Sequence, residues 1–195
     1  MRQALLVIDL QNDFCLPGAP LFVAGAPACI PRAIAAVEGF RAAGLPVIWV
    51  MRRHRPDGCD IDRARRALFA VRPFLCASPG VDLVEGLAPL PGEPVIEKRR
   101  WSAFFATDLD LLLRRAGIEH VVLAGVQTPN CIRATACDAT SYDYECTVLS
   151  DATASESDAV QRANLDDLAR MGVHILTTAE LLARLPRRAA ASAAE

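Results

Sequence analysis

The chain has 195 residues, with 21 basic and 23 acidic side chains for a formal net charge of -2, and a hydrophobic fraction of 52%. This predicts one soluble domain with a continuous core, and the absence of a clustered Lys/Arg block argues against a nucleic-acid partner. No apolar stretch approaches the roughly 20 residues that span a bilayer, and the run of residues 4–8 is too short for a signal-peptide core, so no membrane association and a cytoplasmic location are expected.

The elements follow in chain order from apolar runs and turn residues. Residues 4–10 (ALLVIDL) predict a first strand with little polar alternation, as when both faces are covered. Residues 27–43 predict a helix, with Ile30, Ile34 and Val37 at helical spacing and Gly44 as its stop. Residues 46–51 (PVIWVM) predict the second strand and 94–97 a short third. A helix is expected from about Thr107, with Leu109, Leu112, Leu113 and Ala116 on one face. Residues 120–125 predict strand four, 130–141 a small-residue helix and 144–149 strand five. Val160, Ala163, Leu168 and Met171 mark another helix. Residues 173–176 predict strand six and 178–185 a last helix. Residues 56–92 form the longest segment without a clean period, where a substrate-shaping insertion would sit. Strands alternating with helices imply βαβ units, hence a three-layer αβα domain over residues 1–186, with a six-stranded parallel sheet in the expected order 3-2-1-4-5-6. Residues 187–195 are expected to be a frayed, flexible tail.

Seven cysteines, an odd number without CxxC pairs, suggest neither a disulfide framework nor a zinc knuckle. Of the 21 basic residues, 20 are Arg and only Lys98 is Lys. Composition bias alone could leave one survivor, but an ammonium is a compact, movable charge that a guanidinium cannot replace. In an open parallel sheet, ligands bind outside the carboxyl ends of the strands. Asp9 to Phe14 follow strand one, Lys98 follows strand three, and Val126 to Cys131 follow strand four. An acid, an ammonium and a thiol therefore arrive at one edge.

Cys131, at the entry to a helix, is expected to see free N-H groups and the helix dipole, which lower a thiol pKa. A small buried core cysteine is the commoner fate, and the one expected of Cys29, Cys76, Cys137 and Cys146. Asp9, taken alone, could equally be a solvated strand end. Beside a thiol it can act as general base. Among the histidines only His54 lies near this edge. His54, Asp57 and Asp60 could supply metal ligands, but the acids are equally explained by pairing with Arg52, Arg53, Arg55 and Arg63, so no metal is expected. A nucleotide cofactor is disfavoured because neither GxGxxG nor a P-loop motif occurs. No cofactor is expected.

The segments LLVIDLQNDFC (residues 5–15), EKRRWSAFFATDLDLLL (97–113) and VVLAGVQTPNCIRATACDA (121–139) resemble the isochorismatase-like cysteine hydrolases, which include nicotinamidases and ureidoacrylate amidohydrolases. The resemblance implies the triad Asp9, Lys98 and Cys131. It also implies a cis peptide between Val126 and Gln127, beside an oxyanion hole expected from the backbone N-H groups of Gln127 and Cys131. The expected substrate pocket comprises Phe14, Trp101, Phe104 and Gln127. Nicotinamidases carry an Asp-x-His and a further His around a metal, a pattern that residues 52–60 (RRHRPDGCD) lack. True isochorismatases lack the nucleophilic cysteine that this chain has.

The expectation is therefore a metal-independent amidohydrolase of small amides, with Arg53, Arg55 or Arg66 at the mouth of its site. Its substrate would be an acyclic amide or one bearing an acid group. A metal-dependent nicotinamidase is one alternative. Another is a thiol redox enzyme using Cys131 with Cys15 or Cys137 as resolving partner. The family's habit of assembly implies a homo-oligomer, a dimer or tetramer.

Overall fold

A computed structural model of the chain describes residues 1–186; the tail expected at 187–195 lies outside the described residues. The elements are β1 (Gln3–Ile8), α1 (Asn12–Cys15), α2 (Ala26–Ala42), β2 (Val47–Arg52), a 3-10 turn (Arg63–Arg65), α3 (Arg66–Val71), β3 (Val95–Lys98) and α4 (Leu109–Arg115). Then come β4 (His120–Val126), a π-helical turn (Thr128–Ile132), α5 (Arg133–Ser141), β5 (Glu145–Ala154), α6 (Asp158–Arg170), β6 (His174–Leu176) and α7 (Thr178–Arg184). Six strands form one parallel sheet in the order β3-β2-β1-β4-β5-β6. Among the described residues no helix is long and apolar enough to cross a membrane.

The unalternating apolar run of β1 has a direct cause. Leu5 and Val7 feed the core beneath α2, whereas Ala4, Leu6 and Ile8 feed the core shared with α4, α5 and α6. Each strand residue alternates sides, so a sheet covered on both faces needs apolar residues throughout. The chain reverses its strand order between β1 and β4, and the loops leaving those two strands therefore diverge and open a crevice.

The differences from the sequence reading are local. Strand one stops at Ile8 because Asp9 takes a left-handed backbone, φ 56°, which no strand continues through. Strand five runs on to Ala154 across Ser150 and Asp151. Its pairing with β4 is irregular between Leu123 and Gly125 and then resumes at Gly125↔Thr153. Asp151 is half-buried because its Oδ1 accepts from the N-H and hydroxyl of Thr178. The helix expected from residue 130 begins as the π-helical turn, with Cys131 in it. Such turns often mark functional sites. Its small residues Ala136 and Ala139 pack into this chain's own core. Helices α1 and α3 have four and six residues, too few to show a period.

Gly125 ends β4 with φ +129°, and a Cβ there would sit 1.9 Å from the Ile8 carbonyl oxygen. Only glycine lets the two central strands approach so closely. The peptide bond after Val126 is cis.

Candidate active site

Asp9 follows β1, its N-H donating to the Val50 carbonyl at 2.9 Å. Lys98 is the last residue of β3 and stands in register with Arg52 at the end of β2. Cys131 follows β4. All three are buried. The Lys98 ammonium donates to Asp9 Oδ2 at 2.7 Å and to Cys131 Sγ at 3.3 Å. It also donates to the carbonyls of Arg100 and Trp101, at 3.1 and 3.0 Å. An ammonium with several acceptors inside a core is held in one place, since moving it would strand a buried charge. Asp9 Oδ1 is buried and has no hydrogen-bond partner.

The electrostatics of the thiol differ from the sequence expectation. Burial, and then the charge of Asp9, push the Cys131 thiol up to about 11, against the opposing pull of Lys98 and Arg52. A helix dipole acts on a group at the mouth of a helix. Here the sulfur is inside the fold beside a carboxylate, and desolvation wins. The resting thiol is therefore protonated at neutral pH.

Gln127 follows the cis bond. Its side-chain oxygen accepts from Asn130 Nδ2 at 2.9 Å, and its backbone N-H meets no acceptor among the described residues. Thr135 caps the arrangement from α5: its hydroxyl donates to the Cys131 carbonyl at 2.7 Å and accepts from Ala103 N-H at 3.0 Å.

The three aromatics expected in the pocket separate. Trp101 is 48% exposed and lines a cavity of about 330 Å³ with Arg52, Asp62, Arg63, Ala64 and Arg100. Phe14 is instead a core residue, packed in the α2 layer on the face of the sheet opposite the Cys131 core. Phe104 is also core: its ring stacks on Tyr144 at 5.8 Å and lies 5.4 Å from Tyr142.

The arginines at this edge also differ from those expected. Arg53 is exposed and pairs with Glu97 at 3.0 Å. Arg55 is exposed. Arg66 lines a separate cavity beside Cys59 and Phe69. The arginines that line the cavity bordered by Trp101 include Arg52, which is fully buried. Its N-H and carbonyl are both gripped by the Gln11 side chain, at 2.8 and 2.9 Å, and Gln11 also donates to the Val81 carbonyl. A charge closing the apolar run VIWVMR at the active edge was the available signal for Arg52. Nothing in the sequence pattern singled out Gln11 as its clamp.

His54 stands between a guanidinium and a carboxylate. Arg52 Nε donates to its Nε2 at 3.2 Å, and its Nδ1 faces Asp60 Oδ1 at 3.4 Å. Asp60 in turn accepts from Arg99 and from the Arg55 N-H. Burial, and then the charge of Arg52, lower the His54 pKa to about 4. Among the described residues no group of three or more His, Cys, Asp and Glu is placed to hold a metal ion. A dication here would have to displace guanidinium groups, so the donor set does not fit the metal of the nicotinamidases. Of the thiols suggested as redox partners, Cys15 is buried in the core layer that also holds Cys29, and Cys137 lies on α5. All seven cysteines are unpaired.

An acid, an ammonium and a thiol buried at the switch point of a doubly wound sheet define an α/β enzyme domain of the isochorismatase-like class. Residues 3–180 match the Isochorismatase domain family. The chain is 42% identical over 182 residues to a protein of Arabidopsis thaliana named as a probable inactive nicotinamidase, covering 91% of this chain and 93% of that one. It is 33% identical over 168 residues to the maleamate amidohydrolase of Pseudomonas putida, covering 86% and 79%. The crystal structure of an isochorismatase family protein from Desulfovibrio vulgaris superposes with TM-score 0.89 at 41% identity, over 93% of this chain and 98% of that one. The protein belongs to the isochorismatase family.

Proposed function

We propose that this protein hydrolyses the C-N bond of a small non-peptide amide through a thioester on Cys131. The observation that carries this reading is the single buried ammonium of Lys98, bonded at once to the Asp9 carboxylate and the Cys131 sulfur. A relative named as an amidohydrolase supports the same reaction class.

The steps follow from the charges. The thiol is protonated at rest, so its proton must leave as the sulfur attacks, and the unpartnered Oδ1 of Asp9 is the base to receive it. Lys98 stabilises the sulfur as charge grows on it and keeps Asp9 oriented. The amide carbonyl oxygen becomes an oxyanion that takes the free N-H of Gln127, with the Cys131 N-H as second donor, each worth roughly 3 kcal/mol in such sites. The C-N bond then breaks, Asp9 returns its proton to the departing nitrogen, and ammonia or an amine leaves. Water next attacks the thioester with Asp9 again as base, giving a carboxylic acid and the free thiol. No step passes through a metal.

The test is ammonia release from a panel of small linear amides. Cys131→Ala should abolish release while leaving the thermal unfolding temperature within a few degrees of the parent. Release at the parent rate by that variant would remove the nucleophile. The name of the Arabidopsis relative speaks against nicotinamide as the default substrate, as does the guanidinium-filled surround of His54.

A further inference from the structure

Lys98 ends β3, and between it and α4 the chain is neither helix nor strand. Yet this irregular stretch supplies two of the four acceptors of the ammonium, the carbonyls of Arg100 and Trp101. A loop in that role needs an anchor of its own, because a carbonyl that drifts takes the buried charge with it.

The anchor lies two residues further on. The Ala103 N-H donates to the Thr135 hydroxyl at 3.0 Å, across 32 residues of sequence, and the Ala103 carbonyl accepts from the Thr107 hydroxyl at 2.6 Å. Ala103 is fully buried, in the same core layer as Cys131 and Ile132. The Thr135 hydroxyl also donates to the Cys131 carbonyl at 2.7 Å. A helical threonine bonded only to the carbonyl one turn back is common and implies no role beyond the helix. Thr135 differs in that the same oxygen takes an N-H from a distant loop. Its two bonds have fixed directions: a backbone N-H can only donate, so the hydroxyl proton is left for the carbonyl. Thr135 is itself fully buried, so losing the hydroxyl would leave a buried N-H without its acceptor. One side-chain oxygen thus joins the two segments that meet where the Lys98 ammonium reaches the sulfur at 3.3 Å.

We propose that Thr135 is a positioning residue, whose hydroxyl sets the spacing of the Cys131 sulfur and the Lys98 ammonium by tying the turn that carries the thiol to the loop that holds the ammonium. The kinetic half of this assignment rests on the amidohydrolase reading above. Burial and Asp9 push the Cys131 pKa up and Lys98 draws it down, and the pull of Lys98 weakens as the two groups separate. Slack in the tie therefore reaches the sulfur through Lys98 rather than through a substrate contact. The loss falls on kcat and not on KM.

The experiment compares Thr135→Val, which keeps the shape and removes the hydroxyl, with Thr135→Ser, which keeps the hydroxyl. The pH midpoint of iodoacetamide alkylation of Cys131, read by mass on its peptide, should move upward by about 0.5 to 1 in Thr135→Val. A midpoint reports the charge of the thiol and not its accessibility. Turnover of an amide substrate should fall about 10- to 100-fold in kcat, with KM within about twofold. Thr135→Ser should recover most of both, and should Thr135→Val fail to fold, Thr135→Ala carries the same comparison. A raised midpoint that Thr135→Ser reverses, in a protein that hydrolyses no amide, would support the positioning role while removing the amidohydrolase reading. An unmoved midpoint would overturn the proposal whatever the turnover, and leave that reading to the Cys131→Ala test. A midpoint raised as far by Thr135→Ser would also overturn it, because the methyl group and not the hydroxyl would then be at work.

Discussion

The centre of the carboxyl edge and its arginine-rich flank are built on different principles. At the centre, Asp9 and Cys131 follow β1 and β4, which pair through buried apolar residues, and Lys98 ends β3, which is held against β2 with Ile96 buried. A strand end has one place to be, so the side chain after it is located by the sheet. On the flank, residues 53–66 hold no strand and only one short turn before α3. Here position is settled by which arginine finds which carboxylate, and several arrangements of similar sequence would satisfy the same charges. The centre therefore suits chemistry that tolerates no displacement, and the flank suits selection among substrates.

The largest effect expected at the centre comes from Asp9→Asn. Asparagine accepts the left-handed backbone that Asp9 adopts, so the fold should persist. Asp9's negative charge raises the Cys131 pKa, and its removal should move the thiol down from about 11. More thiolate would then be present at neutral pH, with less turnover. Alkylation of Cys131 by iodoacetamide should shift its midpoint to lower pH, while ammonia release falls about 100- to 10,000-fold for loss of a general base. If alkylation and ammonia release rose together, Asp9 would be only a brake on the thiol, and the centre would work by thiolate alone.

The same contrast explains what could be read in the sequence. The run ALLVIDL gave both its strand and the acid at its end because apolar residues on two faces have no other use. Lys98 stood out as the only lysine. Which apolar layer Phe14 and Phe104 join was not legible, because an aromatic near a strand end can face either layer. The Cys131 pKa was misjudged for a related reason: helix entry is visible in the sequence, but the depth of the sulfur and its distance from Asp9 are properties of packing. Arg52, buried, and Arg65, half-buried, were passed over in favour of the exposed Arg53, Arg55 and Arg66. Arg65 lies in a turn of three residues, too short to show a period.

A second effect, of a few degrees in unfolding temperature, probes the seam between the two regions. His54 packs edge-on against Phe69 and Phe74 and accepts from Arg52. Its pKa in the folded protein is about 4, against an ordinary 6.5. The unfolded chain thus binds a proton between those values that the folded one refuses. The stability contributed by neutral His54 is present above about pH 6.5 and is lost as the pH falls through about 4. Melting temperatures of the parent and of His54→Gln, which keeps a neutral acceptor at every pH, should keep a constant offset near neutrality and shift relative to each other as the pH falls from about 6.5 toward 4, the parent losing stability that the variant keeps. Parallel curves over that range would mean that the histidine is already charged in the fold and that Arg52 is held by Asp62 alone.

The smallest effect is the one that tests whether the flank is graded as the structure places it. Arg53 and Arg66 are exposed, Arg53 pairing with Glu97 across solvent and Arg66 bordering the separate cavity by Cys59. Exposed pairs contribute about 0 to 1 kcal/mol because water screens them and the long side chains lose freedom. Arg53→Ala and Arg66→Ala should therefore leave stability within roughly 0.5 kcal/mol and activity within about twofold. Arg52→Ala is different in kind, since it would strip the Asp62 carboxylate and His54 of their buried partner and leave uncompensated polar groups behind. A loss on Arg53→Ala or Arg66→Ala as large as on Arg52→Ala would show that guanidinium charge acts on the site collectively from the surface. A gap between them would locate the selective part of the flank at the end of β2, one residue's width from the exposed rim.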